Sequence, residues 1–131
     1  MIRVKIVPND IKTVAKVVLI DNSGRVLFLK RSDYMEKYAG EWDLPGGHLK
    51  SNENLSVGLK REVEEETGLQ IKDEKLVEIQ ANLHFFCAEY SNEEVKISHE
   101  HTDFKFFEKK DLDPKEKFQR VALKALEMKD D

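Results

Sequence analysis

The sequence predicts an α+β domain in which strands dominate, with one helix in the middle and one at the end. Three observations carry this reading. Short β-branched, apolar runs alternate with clusters of turn residues. The stretch between Asn54 and Gly68 has helical rather than alternating periodicity. The C-terminal stretch is amphipathic at the same helical spacing.

Thr13 to Ile20 is β-branched and apolar and reads as a buried strand. Asp21-Asn22-Ser23-Gly24 supplies the turn, and Arg25 to Lys30 returns as the second strand of a hairpin. Ser32 to Glu41 is a polar loop, and Trp42-Asp43-Leu44 is a short extended piece before Pro45-Gly46-Gly47. Asn54 is suited to cap a helix running to about Thr67, because its side-chain oxygen can accept a first-turn amide. Gly68 is placed to end it in the left-handed conformation. Lys75 to Tyr90 reads as one long strand, Ser91-Asn92 as a turn, and Glu94 to Ser98 as its return. Phe104 to Glu108 is a further short strand. Pro114 suits the first position of a closing helix that gathers Phe118, Val121, Ala122, Ala125 and Leu126 on one face. No linker, repeat or low-complexity segment divides the chain, so residues 1–131 are expected to form a single domain.

Composition narrows the function. The net charge is −4 and the pI about 5.6, which argues against a general binder of duplex nucleic acid. A small anionic substrate is compatible with that balance if cations or a local basic patch neutralise it. Cys87 is the only cysteine, so no intramolecular disulfide forms, and its apolar surroundings predict a buried structural thiol. Met1 to Pro8 offers no secretory segment, and no apolar stretch approaches the roughly 20 residues that cross a bilayer. A soluble, cytoplasmic protein without membrane contacts is expected; the oligomeric state stays open.

The chemistry concentrates between Gly47 and Leu69. Acidic runs such as Glu62 to Glu66 are ordinarily solvated helix faces. Helix geometry argues otherwise here. On a helical wheel Leu55, Leu59 and Val63 fall at about 0°, 40° and 80°, with Glu66 at about 20°, Glu62 at about 340° and Glu65 at about 280°. Two carboxylates therefore share the side that packs on the fold, and the third borders it. Lys60 and Glu64 point to water. Carboxylates crowded near a core repel and lose hydration, and a divalent cation removes the conflict. Oxygen-only ligands suit Mg²⁺ or Mn²⁺. Arg61 stands one turn before Glu65 and can hold that carboxylate or a substrate phosphate, and Gly46-Gly47 lets the backbone approach closely.

The series Gly47-x5-Glu53-x7-Arg61-Glu62-Val63-x-Glu65-Glu66-x-Gly68-Leu69 resembles the full Nudix box at every fixed position. A chance match in a chain of this composition is on the order of 10⁻⁷. The order of strands and the terminal helix also resemble the Nudix (MutT-like) hydrolases, and the resemblance implies a mixed β-sheet sandwiched between α-helices. It further implies metal-dependent hydrolysis of a nucleoside diphosphate linked to another group. On that resemblance Glu62, Glu65 and Glu66 match the metal-binding and base-supplying glutamates. A carbonyl of Gly46 or Gly47 matches a backbone ligand, Arg61 an arginine that orients a glutamate, and Glu53 a helper that fixes the loop or an outer ligand. Which glutamate takes the proton from water stays open among them. Glu100 sits where many relatives place a further metal ligand or base.

Outside the box the readings divide. His99 and His101 do not make a zinc site, since no third ligand is spaced to complete one. Lys30 and Arg31, ending the second strand, are candidates to meet a phosphate, against a plain solvated strand end. Tyr34, Trp42, Phe85, Phe86 and Phe118 are candidates to stack on a base, although core roles compete for each; Phe85 and Phe118 are kept as substrate contacts. Two rivals share the resemblance. A nucleotide-sensing module without turnover would not need all three glutamates, and an allylic diphosphate isomerase is disfavoured by the short chain and the remoteness of Cys87. Markers of the family's substrate subgroups are missing, so the small nucleotide it would cleave is not specified.

Overall fold

Val14–Ile20 forms β1, and every residue in it is buried. A strand covered on both faces belongs in the middle of a layered sheet. The computed structural model describes residues 13–33, 39–90 and 93–129, and places β1 there. The readings for Met1 to Pro8, Tyr34 and Ser91-Asn92 lie outside the described residues.

β1 runs parallel to Leu83–Glu89 (β6), from Val14 against Leu83 to Ile20 against Glu89. On its other edge the chain turns at Asp21, whose Oδ1 accepts the amides of Ser23 and Arg25, into Val26–Arg31 (β2). Only Ile20 and Val26 pair across this hairpin. The strands then splay, and Trp42–Asp43 (β3) and Gly46–His48 (β4) fill the wedge. β3 pairs with Leu29 and Lys30 of β2, and β4 with Val14, Ala15 and Lys16 of β1. The glycine pair is thereby threaded into the centre of the sheet. Lys75–Gln80 (β5) lines the outer edge of β6, and His101–Phe107 (β7) that of β2, both antiparallel.

Period-two alternation sends side chains to two cores. Val18, Ile20, Val26, Phe28 and Phe85 meet Val121, Ala122 and Ala125 of Lys117–Lys129 (α2). Ala15, Val17, Leu19, Leu27 and Phe86 meet Leu59 and Val63 of Leu55–Thr67 (α1). The helices thus cover opposite faces of a mixed sheet, the sandwich expected. Each fully buried Leu or Phe contributes about 1.5–3 kcal/mol.

Four boundaries differ from expectation. Lys75 to Tyr90 is a hairpin rather than one strand, since the chain reverses at Ala81, which takes φ +52°. Glu94 to Ser98 joins no ladder. Its amides serve another purpose: Lys96 and Ser98 donate to the carbonyls of Thr67 and Glu66, which the end of α1 leaves without helical partners. The last strand starts at His101, earlier than Phe104. The closing helix starts at Lys117, because Asp113 and Pro114 form a turn in which Asp113 accepts the Lys115 and Glu116 amides. Asn54 and Gly68 behave as expected: Asn54 Oδ1 accepts from Val57 N at 2.8 Å, and Gly68 takes φ +75°. Among the described residues no helix is long and apolar enough to cross a membrane.

Candidate active site

The loop between β4 and α1 lies against the helix because Gly58 lacks a side chain; a Cβ there would stand 2.7 Å from Leu49 Cγ and 3.0 Å from Glu53 Oε1. Glu53 is therefore held beside Arg61. Arg61 donates Nε to Glu53 Oε2 at 2.8 Å and Nη2 to Glu53 Oε1 at 3.0 Å, a bidentate pair. Its Nη2 also reaches the His48 carbonyl at 3.2 Å. Nη1 donates to Glu62 Oε1 at 3.0 Å and Glu65 Oε2 at 3.1 Å. The bond from Arg61, with one from the Lys50 amide, holds the Glu53 carboxyl down at about 2. One guanidinium gathers three of the box carboxylates.

Glu66 goes elsewhere. It points into the fold and accepts the Gly46 amide on Oε1 at 2.7 Å. Burial pushes its carboxyl up to about 8, against the opposing pull of the Lys16 charge and that amide, with Asp43 and Glu62 adding to the rise. Glu62 is also raised, first by burial and then by its carboxylate neighbours Glu65 and Glu100, while Arg61 opposes. Glu65 is largely exposed. Glu100 is thus close enough to be felt by Glu62. Its loop is fixed by Ser32, whose amide donates to the Glu100 carbonyl at 2.9 Å and whose hydroxyl donates to the His99 carbonyl at 2.9 Å.

These donors are carboxylate and backbone oxygens, the set that suits a hard divalent ion. A Cβ on Gly47 would lie 2.7 Å from Glu62 Oε2, so the glycine leaves that oxygen against bare backbone. Both features fit a metal. Among the described residues, however, no three carboxylate or imidazole groups are gathered tightly enough to hold an ion as they stand. Arg61 has turned Glu62 and Glu65 toward itself.

Residues 11–127 match the family model described as the NUDIX domain. The chain belongs to the Nudix family. It is 30% identical over 113 residues to the nucleoside triphosphatase NudI of Escherichia coli O139:H28, covering 72% of this chain and 80% of that one. It is 37% identical over 65 residues to a MutT-like protein of Streptomyces ambofaciens, covering 50% of this chain and only 39% of that relative. Among solved structures, an Ap4A hydrolase of C. elegans superposes with a TM-score of 0.71 at 20% identity, covering 92% of this chain and 98% of that one; this likeness concerns the fold. The Nudix chain is a hydrolase of phosphoanhydride bonds, and hydrolases of this family generally use divalent metal ions.

The Nudix protein also carries a buried charged cluster outside the box motif. Lys16, inside β1, donates to Asp43 Oδ2 at 3.1 Å and to the Leu44 carbonyl at 3.3 Å, and lies 2.9 Å from Asp43 Oδ1. Arg31 Nη1 reaches the same Asp43 carboxylate at 3.1 Å. His101 is buried nearby, lowered in pKa by burial, and its Nδ1 has no hydrogen-bond partner among the described residues. The available signal was a lysine in the middle of an otherwise apolar run. Asp43→Ala would leave the Lys16 ammonium buried without its carboxylate and is expected to cost about 3–5 kcal/mol, read as a lower urea midpoint at unchanged slope.

Of the other candidates, Arg31 sits with Asp43, and Lys30 pairs between Trp42 and Asp103 in the sheet. Phe118 is half-buried, 5.6 Å from Lys16 Nζ and 5.9 Å from the Phe85 ring. The expectation that Phe85 touches substrate is corrected: the ring is 0% exposed in the α2 core, so its contribution is to packing. Phe86 and Trp42 also pack against the cores. Cys87 is half-buried, and burial pushes its thiol up, away from reactivity.

Proposed function

We propose that this Nudix hydrolase uses Mg²⁺ or Mn²⁺ to cleave a nucleoside triphosphate or a related nucleoside diphosphate linked to another group. One observation carries the reading: the complete box is present, with Glu62, Glu65 and Arg61 linked along the second half of α1 and Glu66 docked on the Gly46 amide. The likeness to the nucleoside triphosphatase NudI supports a nucleotide as substrate. Glu62, Glu65, Glu66, Glu100 and a carbonyl of Gly46 or Gly47 would hold the ion. When bound, it neutralises phosphate oxygens and lowers the pKa of a bound water.

The chain's own groups do the rest. Glu62 or Glu65 takes the proton from the attacking water; burial already raises the proton affinity of Glu62, as a base requires. Arg61 and Glu53 fix the loop between β4 and α1 against the helix that carries those carboxylates. Arg31 and Lys30 meet the phosphate that is not attacked, and the half-buried Phe118 ring lies against the base. We place this activity in one domain acting in the cytoplasm on small nucleotides rather than duplex nucleic acid, in keeping with the net charge of −4.

A panel of nucleoside triphosphates, dinucleoside polyphosphates, ADP-ribose and UDP-sugars, incubated with Mg²⁺, tests this reading. At least one is expected to release a nucleoside monophosphate together with pyrophosphate or the phosphorylated partner. No turnover of any nucleotide in the panel would overturn the substrate class.

A further inference from the structure

Arg61 has five N–H donors, and the structure gives all five an oxygen. They divide into two groups by chemistry. Nε and Nη2 grip Glu53 and the His48 carbonyl, with the shortest contact at 2.8 Å. Glu53 is itself pinned by the Lys50 amide at 2.8 Å and packed on Gly58. The remaining nitrogen, Nη1, spans Glu62 at 3.0 Å and Glu65 at 3.1 Å, the two carboxylates that the proposed metal also requires.

We infer that Arg61 is the stand-in counter-ion of the site: when no cation is bound its Nη1 holds Glu62 and Glu65, and it yields both to a divalent cation while Nε and Nη2 keep Glu53 and His48. The inference deepens the reading above and rests on it. Charge supports it. Three carboxylates against one guanidinium leave two negative charges, the charge of one divalent ion. Glu62 and Glu65 stand one turn apart and would repel whenever the ion leaves. Nη1 removes that repulsion without a metal. It also makes the ion compete for its ligands, so metal binding is weaker and more readily reversed than the glutamates alone would make it.

The hand-over can be read on the wild-type protein by ¹⁵N NMR of the Arg61 side chain during a Mg²⁺ titration. The Nε–H signal is expected to stay sharp and slow to exchange, bonded to Glu53. The two Nη1 protons, distinct without Mg²⁺, are expected to merge and to exchange with water. Unchanged Nη1 signals in the Mg²⁺-bound protein would overturn the inference, and so would release of Nε and Nη1 together.

Arg61→Lys gives a second arm, since it keeps the charge and loses the fork. Mn²⁺ titrated by electron paramagnetic resonance is expected to bind this variant about tenfold more tightly than wild type. Its melting temperature should fall in EDTA and recover most of the loss with Mn²⁺. An arginine that only orients the glutamates predicts the opposite: weaker Mn²⁺ binding and equal destabilisation of both forms. If Mn²⁺ fails to bind wild type, the metal reading falls and the hand-over with it. If it binds while Arg61 does not respond, only the hand-over falls.

Discussion

Gly46→Ala is expected to lower stability by more than about 3 kcal/mol, through backbone rather than side-chain chemistry. Gly46 holds φ at +131°, a conformation that only glycine adopts readily. A Cβ there would stand 2.1 Å from the Ala15 carbonyl oxygen and 2.7 Å from Lys16 Cα, both in the backbone of the central strand. Neither can yield without breaking the ladder that seats β4 on β1. Gly47→Ala fails differently. Its Cβ would meet the Glu62 carboxylate at 2.7 Å, the far end of a flexible side chain. That carboxylate swings away, so activity falls much more than stability. Urea unfolding of both variants beside their hydrolysis rates tests the contrast. A wild-type midpoint for Gly46→Ala would show that the central sheet tolerates what the geometry forbids.

Glu66→Gln and Glu65→Gln are each expected to lower the hydrolysis rate at least about 10²-fold while the fold survives. Glu66→Gln has a second signature without metal. The Glu66 carboxyl sits at about 8 in the folded protein against an ordinary 4.5. Between those values the folded state binds a proton that the unfolded state has lost, so rising pH favours unfolding. In EDTA, wild type should therefore lose stability from pH 4.5 up to 8, more than Glu66→Gln does across the same window. Glutamine keeps an uncharged acceptor for the Gly46 amide and has nothing to titrate. Parallel stability profiles for the two proteins would contradict the raised Glu66 carboxyl, and wild-type rates in both variants would remove these carboxylates from the reaction.

How much of this was legible in the sequence depends on the range of the interactions. Local rules placed α1 between Asn54 and Gly68, because a cap and a left-handed terminator act within one turn. The helical wheel put Glu66 and Glu62 on the packed side and Glu65 at its border; in the structure Glu66 is buried, Glu62 half-buried and Glu65 exposed. Arg61 with Glu65 also followed from spacing, whereas its bidentate grip on Glu53 depended on the loop folding back over Gly58. Residues whose partners come from distant strands were missed. Lys16 meets Asp43 only because β3 and β4 fill the wedge between β1 and β2. Phe85 and Phe118 pack together only because α2 crosses that face of the sheet. Glu94 to Ser98 has strand-like composition, but the carbonyls at the end of α1 claimed its amides first.

The most direct test of the central claim is hydrolysis of the best nucleotide substrate in ¹⁸O-water, with Mg²⁺ and again after EDTA. The account predicts product with ¹⁸O on a phosphate while Mg²⁺ is present, no product once it is chelated, and recovery when Mg²⁺ or Mn²⁺ returns. Undiminished turnover in the chelated protein, or products free of solvent oxygen, would contradict it.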